Sequence, residues 1–317
     1  MRPERHSTTA YQTFLEEEFV PWLAEQEGER RHVFGRSWRR AAPALFAALA
    51  VFLLMLVFQT PPLVLAAALV VPSCLIWALF RFDLAFFWEE RFQKAFWARI
   101  FGYFGLDSVD PPSMGLFNDF YFFALPPGGR AYEICIHGRG EFQGVACDIM
   151  LGRHATSGRS PYGGRTASAG SLFVRLAYPK PFSGVTSVLP DYGSAVNLVR
   201  QRPYAEKGGV ARVRLENPDF EALFEVYSTD QVEARYLLTP RFMERVMDLR
   251  KRFGHELRMA FGNGGLYLLL ESEFPYFTEG KAVDDPCVLT GLHALGADIM
   301  RVGDAIGALK LDVETKV

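Results

Sequence analysis

The chain has 317 residues, 50% of them hydrophobic and 14% aromatic, and a formal net charge of −2. Single hydrophobic cores stop growing at about 250 residues, so this length leaves room for one ordinary domain and a membrane segment, or for two small domains. The small net charge excludes the broad basic field of nucleic-acid-binding proteins. The cysteines and histidines show no zinc-ligand spacing, and we therefore predict no nucleic-acid partner, no metal and no cofactor.

Residues 1–40 are predicted to be a cytosolic amphipathic segment. Within it, residues 11–26 place aromatic and apolar side chains toward one side and include an acidic cluster, which is typical of a surface helix. Pro21 is expected to bend this helix, because proline removes a backbone hydrogen bond.

A long apolar run follows this segment. No charged residue occurs between Arg40 and Arg81, and as one helix the run would be about twice the ~30 Å hydrocarbon thickness of a bilayer. A Gln-Thr-Pro-Pro sequence at its middle breaks the helix. We predict a transmembrane helical hairpin over residues 41–80, with spans at 41–58 and 63–80. A buried hairpin in a water-soluble core is the alternative, although helices apolar on every face are uncommon there.

Positive charges flank both ends of the apolar run, and the turn between the spans has none, so both termini are predicted to lie in the cytosol. The flanking residues are Arg30, Arg31, Arg36, Arg39, Arg40, Arg81, Arg91, Lys94 and Arg99.

Residues 81–108 are predicted to form an amphipathic, aromatic-rich connecting helix. It either lies at the lipid headgroups through Trp88 and Trp97, or packs its aromatic stripe against the N-terminal helix or the following domain. Its acidic residues favour packing. Residues 107–113 contain two prolines and are predicted to be a linker.

Residues 109–317 are predicted to be a cytosolic α+β domain. Short runs of alternating polarity predict strands, and the helical patterns come mostly later, which indicates helices packed on one face of a largely antiparallel sheet. The predicted strands are residues 119–125, 131–137, 141–151, 171–178, 185–189, 195–199 and 210–215, with a hairpin formed by 258–261 and 266–270. A glycine turn at 138–140 is expected to separate the second and third strands.

Helix starts are predicted at Asn217, at Ser228 and at Thr239, each followed by residues that suit a first helical turn. A last helix begins near Pro286 and repeats apolar residues in alternation of four and three. Its glycines disfavour a free-standing coiled coil. We expect its apolar seam to dock on the sheet of its own chain, with self-association as the alternative.

The common motifs of phosphate, dinucleotide, zinc-protease and serine-hydrolase sites are absent. Residues 152–170 are rich in glycine and serine, and Arg153, Arg159 and Arg165 among them could hold a phosphate or an anionic headgroup. The alternative is a solvated loop between two strands.

Four segments resemble the signature of a bacterial membrane-protein family known as domain of unknown function 3137. They are residues 182–186, 213–221, 224–228 and 230–240. The resemblance extends over most of the chain and implies a bacterial inner membrane protein with a hairpin and a cytosolic domain. Genes of this family lie near those of LemA-type membrane proteins, which makes such a protein one candidate partner. The resemblance supplies no reaction and no catalytic residue.

The leading hypothesis is a membrane-anchored, cytosolic-facing interaction or scaffold protein that contacts the lipid bilayer and a membrane-protein partner or a second copy of itself. One alternative is a membrane-tethered enzyme with an unrecognised site built around Asp230, Glu233 and Arg235. Another is a small transporter or channel accessory subunit, although the apolar run contains no ionisable residue for a transport pathway.

Overall fold

This computed structural model describes residues 8–29, 89–127, 130–156, 167–193, 209–254, 256–271 and 286–309, with isolated positions between 32 and 50 and at 311. The chain forms two compact units, Met1–Gln12 with Ile100–Val317, and Thr13–Arg99. The predicted transmembrane hairpin lies outside the described residues except for isolated positions. In the part of the chain that is described, no helix is both long and apolar enough to cross a bilayer.

The smaller unit contains most of two aromatic-rich helices. Helix α1 (Thr8–Phe14) continues through a π-helical turn (Leu15–Phe19) to residue 29, and α2 is Glu89–Tyr103. The π turn lies just before Pro21, where a proline leaves an earlier carbonyl without its usual donor.

Aromatic rings join α1 and α2 within this unit. The Phe19 and Phe96 ring centroids are 5.2 Å apart, and the rings of Trp22 and Phe92 are stacked with an interplanar angle of 4°. The Arg99 guanidinium lies over the Trp22 ring. The prediction that the aromatic stripe packs against the N-terminal helix is therefore confirmed.

The larger unit is built on a nine-stranded sheet, and all strand pairs within the described residues are antiparallel. Its strands are β1 (Leu106–Val109), β2 (Glu133–Phe142), β3 (Val145–Thr156), β4 (Ala167–Ala177), β5 (Thr186–Pro190), β6 (Ala211–Val213), β7 (Phe224–Ser228), β8 (Arg258–Gly262) and β9 (Gly265–Glu271). The order across the sheet is β1-β2-β3-β4-β9-β8-β5-β7-β6. The predicted α+β class with a largely antiparallel sheet is confirmed.

Two turns show how well local signals set the strand ends. The predicted hairpin of β8 and β9 is present, and Asn263 and Gly264 between them both have positive φ, as a two-residue hairpin turn requires. The turn predicted at residues 138–140 is wrong, because those residues pair within β2. The chain turns instead at Gln143 and Gly144, which also have positive φ. The predicted strand at residues 195–199 lies outside the described residues.

The helices of this unit are α3 (Met114–Phe122), α4 (Pro218–Glu221), α5 (Gln231–Leu237), α6 (Pro240–Phe253) and α7 (Pro286–Leu309). Asn217 and Thr239 cap α4 and α6 as predicted. Ser228 is not the cap of α5. It ends β7, and the Asp230 carboxylate two residues later accepts the first free N–H groups of the helix.

The segment after the predicted linker is a helix rather than a strand. The predicted strand at residues 119–125 falls largely in α3, where Phe117 and Phe120 are buried at helical spacing. Ser113 begins this helix with a side-chain cap. The predicted linker at residues 107–113 includes most of β1. The strand prediction was wrong because a short, densely aromatic sequence fits a period of two as well as 3.6.

Helices cover both faces of the sheet, which corrects the prediction of helices on one face. On one face α3 packs Phe120 against Phe173, with ring centroids 5.1 Å apart. On the other α6 packs Phe242 against Phe261, with centroids 5.7 Å apart. Phe261 follows Ala260, which belongs to the core under α3, and successive residues of a strand face opposite sides. The central strands are therefore buried on both faces.

The seam of α7 is buried within its own chain. Its residues Leu292, Leu295, Ile299, Val302, Ile306 and Leu309 are all buried. The helix packs against α6. Gly296 lies against the Tyr11 ring, whose hydroxyl donates to the Leu292 carbonyl at 3.1 Å, and a side chain at Gly296 would overlap that ring. The glycines that disfavour an isolated helix thus allow close packing here.

Candidate functional site

The side of the sheet that faces α3, here called the α3 face, holds an aromatic core between two polar clusters. The core consists of Phe117, Phe120, Phe123, Leu125, Tyr132, Met150, Phe173, Leu189, Tyr227, Ala260, Tyr267 and Leu269. The ring of Phe173 meets the rings of both Phe117 and Phe120 edge to face. This core fixes α3 on the sheet and separates the two clusters along the strands β3 and β4.

The first, the aspartate cluster, consists of His137, Arg139, Asp148 and Arg175 on β2, β3 and β4. The His137 Nε2–H donates to Asp148 Oδ1 at 2.9 Å, and Arg139 Nε donates to the same oxygen at 2.5 Å. Arg175 reaches the other carboxylate oxygen at 3.4 Å. The backbone N–H of Ser113, which caps α3, donates to His137 Nδ1 at 3.3 Å.

These contacts make the aspartate cluster a structural brace. Burial alone raises the pKa of Asp148, but the hydrogen bonds from His137 and Arg139 outweigh it and hold that pKa below its usual range. The His137 side chain is 0% exposed and both of its ring nitrogens have partners. No ring atom is left to take a proton from a substrate.

The second, the glutamate cluster, consists of Arg130, Tyr132, His154 and Glu271 beyond the opposite end of the aromatic core. Arg130 donates to Glu271 Oε1 at 2.9 Å and lies 3.1 Å from His154 Nε2. The Tyr132 hydroxyl donates to the same Glu271 oxygen at 2.7 Å, and its ring packs edge-on against the His154 ring. Burial, and then the hydrogen bond and charge of Glu271, raise the pKa of Tyr132 and keep it protonated.

Two buried polar atoms beside the glutamate cluster have no hydrogen-bond partner among the described residues. They are Nδ1 of His154 and Oγ of Ser171. The side chains belong to residues that are only 4% and 0% exposed. Ser171 pairs with Glu271 across β4 and β9. Buried polar groups are nearly always hydrogen-bonded, so these two atoms are candidates for binding a further group.

Sequence reasoning missed both clusters. His137 and Asp148 are 11 residues apart and lie on neighbouring strands, where the register sets Arg139 opposite Asp148 and His137 opposite Met150. A single histidine on a strand carries no signal of its own, since only the pairing register decides what lies beside it.

The charged group predicted as an alternative catalytic site has structural contacts. Asp230 caps α5. The Glu233 carboxylate accepts the backbone N–H groups of Ser183 and Gly184 at 2.7 and 2.6 Å, and Arg235 donates to two backbone carbonyls. Glu233 thus joins two of the four signature segments into a clasp between α5 and the start of β5.

One face of α5 beyond this clasp is apolar and exposed. Val232 and Tyr236, one helical turn apart, are 77% and 45% exposed. The Lys180 ammonium group lies 5.0 Å from the centre of the Tyr236 ring. We call these three residues the α5 surface.

The predicted anion loop is only partly described. Arg153 lies on β3 and pairs with Glu133 at 2.9 Å. Arg159 and Arg165 lie outside the described residues, so their role stays a prediction. Among the described residues no group of three or more histidine, cysteine or acidic side chains is arranged to hold a metal ion.

Fold and clusters together define an α+β protein on a nine-stranded antiparallel sheet. A family model described as protein of unknown function (DUF3137) matches residues 170–287. This match covers all four signature segments and confirms the resemblance to that family, over less than half of the chain.

Two further comparisons add no function. No curated protein matches the chain. The crystal structure of the mycobacterial trehalose monomycolate transport factor A aligns with 62% of this chain and 96% of that chain, at 12% identity and a TM-score of 0.27. A TM-score this low does not indicate a shared fold, so nothing about this chain follows from it.

Proposed function

We propose that this chain is a membrane-anchored interaction protein of the bacterial inner membrane. In this proposal the apolar run at residues 41–80 is the anchor, both termini lie in the cytosol, and the α+β domain binds a segment of another membrane protein. The run has no charge to oppose insertion and a double proline to reverse the chain.

The α5 surface is the observation that carries the binding role. Exposed apolar side chains that are firmly positioned are typical of binding surfaces, because ordering them costs little on association. Val232 and Tyr236 lie on a helix whose start is fixed by Asp230 and whose body is fixed by Glu233. Two signature segments of the family build this arrangement, and Val232 and Tyr236 are its exposed large apolar side chains.

The test is co-purification of the full-length tagged chain from detergent extracts of its bacterial host. We expect specific membrane-protein partners with the unmodified chain and their loss with the double variant Val232→Ser, Tyr236→Ser. Both positions are exposed, so the variant should fold. A matched control is Met114→Ser, Phe122→Ser, which removes two exposed apolar side chains of α3.

Equal recovery of partners with both double variants would contradict the role of the α5 surface. An unmodified chain that is monomeric in light scattering and recovers no partner would contradict the interaction function itself. A chain that recovers only its own copies would identify the partner as a second molecule of this protein.

A further inference from the structure

We propose that the glutamate cluster and Ser171 bind one phosphate-type oxyanion, with the His154 Nδ1–H and the Ser171 hydroxyl as its buried donors. This site lies on the α3 face and does not depend on the binding role of the α5 surface.

The tautomer of His154 follows from its neighbour. A guanidinium can only donate, so His154 Nε2 accepts from Arg130 and the ring proton of the neutral form is on Nδ1. Burial first, and then the positive charge of Arg130, lower the pKa of His154 and favour this neutral form. Nδ1–H is therefore a buried donor, and the described residues offer it no acceptor.

Ser171 lies on the same face of the neighbouring strand. Phe173 follows Ser171 by two residues on β4, and Met150 precedes His154 by four residues on β3. Both Phe173 and Met150 belong to the aromatic core. Since side chains alternate along a strand, Ser171 and His154 also face this side. The register sets Ser171 opposite Gly152 and His154 opposite Ala169, so the two residues are diagonal neighbours.

A ligand that satisfies both atoms must accept hydrogen bonds, because His154 Nδ1–H can only donate and Ser171 can donate as well. The charges that the described residues place beside these donors are the Arg130 guanidinium, 3.1 Å from His154 Nε2, and the Glu271 carboxylate. The Glu271 carboxylate is already matched by the Arg130 guanidinium and the Tyr132 hydroxyl.

A phosphate group has several acceptor oxygens, so one group can accept from both donors at once. The same chemistry is offered by free phosphate and by the phosphate of a lipid headgroup, and both sources are available to a protein at a membrane. A water molecule could accept the same bonds, and the experiment separates that case.

The test uses the full-length chain in an uncharged detergent and follows thermal unfolding and titration calorimetry. One arm adds inorganic phosphate, and the other adds a short-chain phosphatidylglycerol. We expect binding in at least one arm, weakened about tenfold or more by Ser171→Ala and by His154→Leu, since each removes one hydrogen-bond donor to a charged group. The matched control Ser108→Ala, on the exposed side of β1, should leave the affinity unchanged.

A response to inorganic phosphate assigns the site to free phosphate, and a response to the lipid alone assigns it to a headgroup. No response in either arm, as expected for a site filled by water, would overturn the proposal. Binding that Ser171→Ala and His154→Leu leave unchanged would overturn it as well. Ser171→Cys keeps the size of the side chain with a weaker donor and replaces Ser171→Ala if that variant does not fold.

Discussion

The two polar clusters of the α3 face have a similar composition and differ in how completely their atoms are paired. Each combines a buried histidine with an acidic side chain and arginine. In the aspartate cluster both nitrogens of His137 have partners, and Asp148 accepts from three side chains. In the glutamate cluster one nitrogen of His154 and the nearby Ser171 hydroxyl have none among the described residues.

This difference distinguishes a cluster that stabilises the fold from a cluster that can bind a ligand. A buried charged group with all its partners stabilises the fold and has no capacity left for a ligand. A buried donor without an acceptor destabilises the folded state, and a ligand that accepts its hydrogen bond removes this cost. The first cluster is therefore expected to dominate stability, and the second to dominate the response to added anions.

The largest effect is expected at the brace. Asp148→Ala leaves His137 buried beside two arginines with no counter-charge, and we expect the free energy of unfolding to fall by about 3–5 kcal/mol. Urea denaturation of the full-length chain in detergent measures it. The control Glu133→Ala breaks an exposed pair with Arg153 and should cost less than about 1 kcal/mol. Equal costs would show that Asp148 is no brace.

A smaller effect is expected for the matching change in the other cluster. Glu271→Ala removes the acceptor of Arg130 and Tyr132, but the Arg130 and Glu271 side chains are 40% and 26% exposed, so water screens the loss. We expect a cost of about 1–2 kcal/mol in the same denaturation experiment. A cost as large as that of Asp148→Ala would break the comparison between the clusters.

The smallest effect is a pH dependence from His154. Its folded pKa is lowered below the ordinary 6.5 by burial and by Arg130, and Glu271 only partly opposes this. The unfolded chain then binds the proton more readily, so stability is complete above about pH 6.5 and falls as the pH drops below it. Between about pH 7.5 and about pH 5.5 we expect a loss of at most about 1.4 kcal/mol.

Thermal unfolding of the chain at several pH values in phosphate-free buffer measures this loss. His154→Gln keeps an acceptor for Arg130 but cannot titrate, and it should flatten the profile. The lowered pKa of Asp148 acts only at more acidic pH and does not contribute in this range. A variant profile as steep as that of the unmodified chain would assign the pH dependence to another group.

Local signals in the sequence predicted the elements whose ends depend on neighbouring residues. Asn217 and Thr239 cap helices as predicted, because a cap needs only its own side chain and the next few N–H groups. The hairpin of β8 and β9 follows from its glycine-rich turn. The burial of the α7 seam follows from its spacing of apolar residues.

The predictions that failed depended on distant contacts. α3 is helical because Phe117, Phe120 and Phe123 together pack over the sheet, although the amino-acid sequence of this segment also fits a strand. Helices cover both faces of the sheet, and every residue of β5, β7 and β8 is buried. Polar residues such as Glu225 and Arg258 interrupt the apolar runs of these strands, so the sequence pattern alone did not show that both faces are covered.

By itself the sequence determined the α+β class, the family resemblance, several caps and turns, and the apolar run that predicts an anchor. Only the tertiary structure decided that His137 meets Asp148, that His154 and Ser171 are buried on one face, and that Glu233 holds the turn before β5. The physical reason is range: caps and periodicity act within one or two helical turns, whereas strand register brings together side chains that are far apart in the chain.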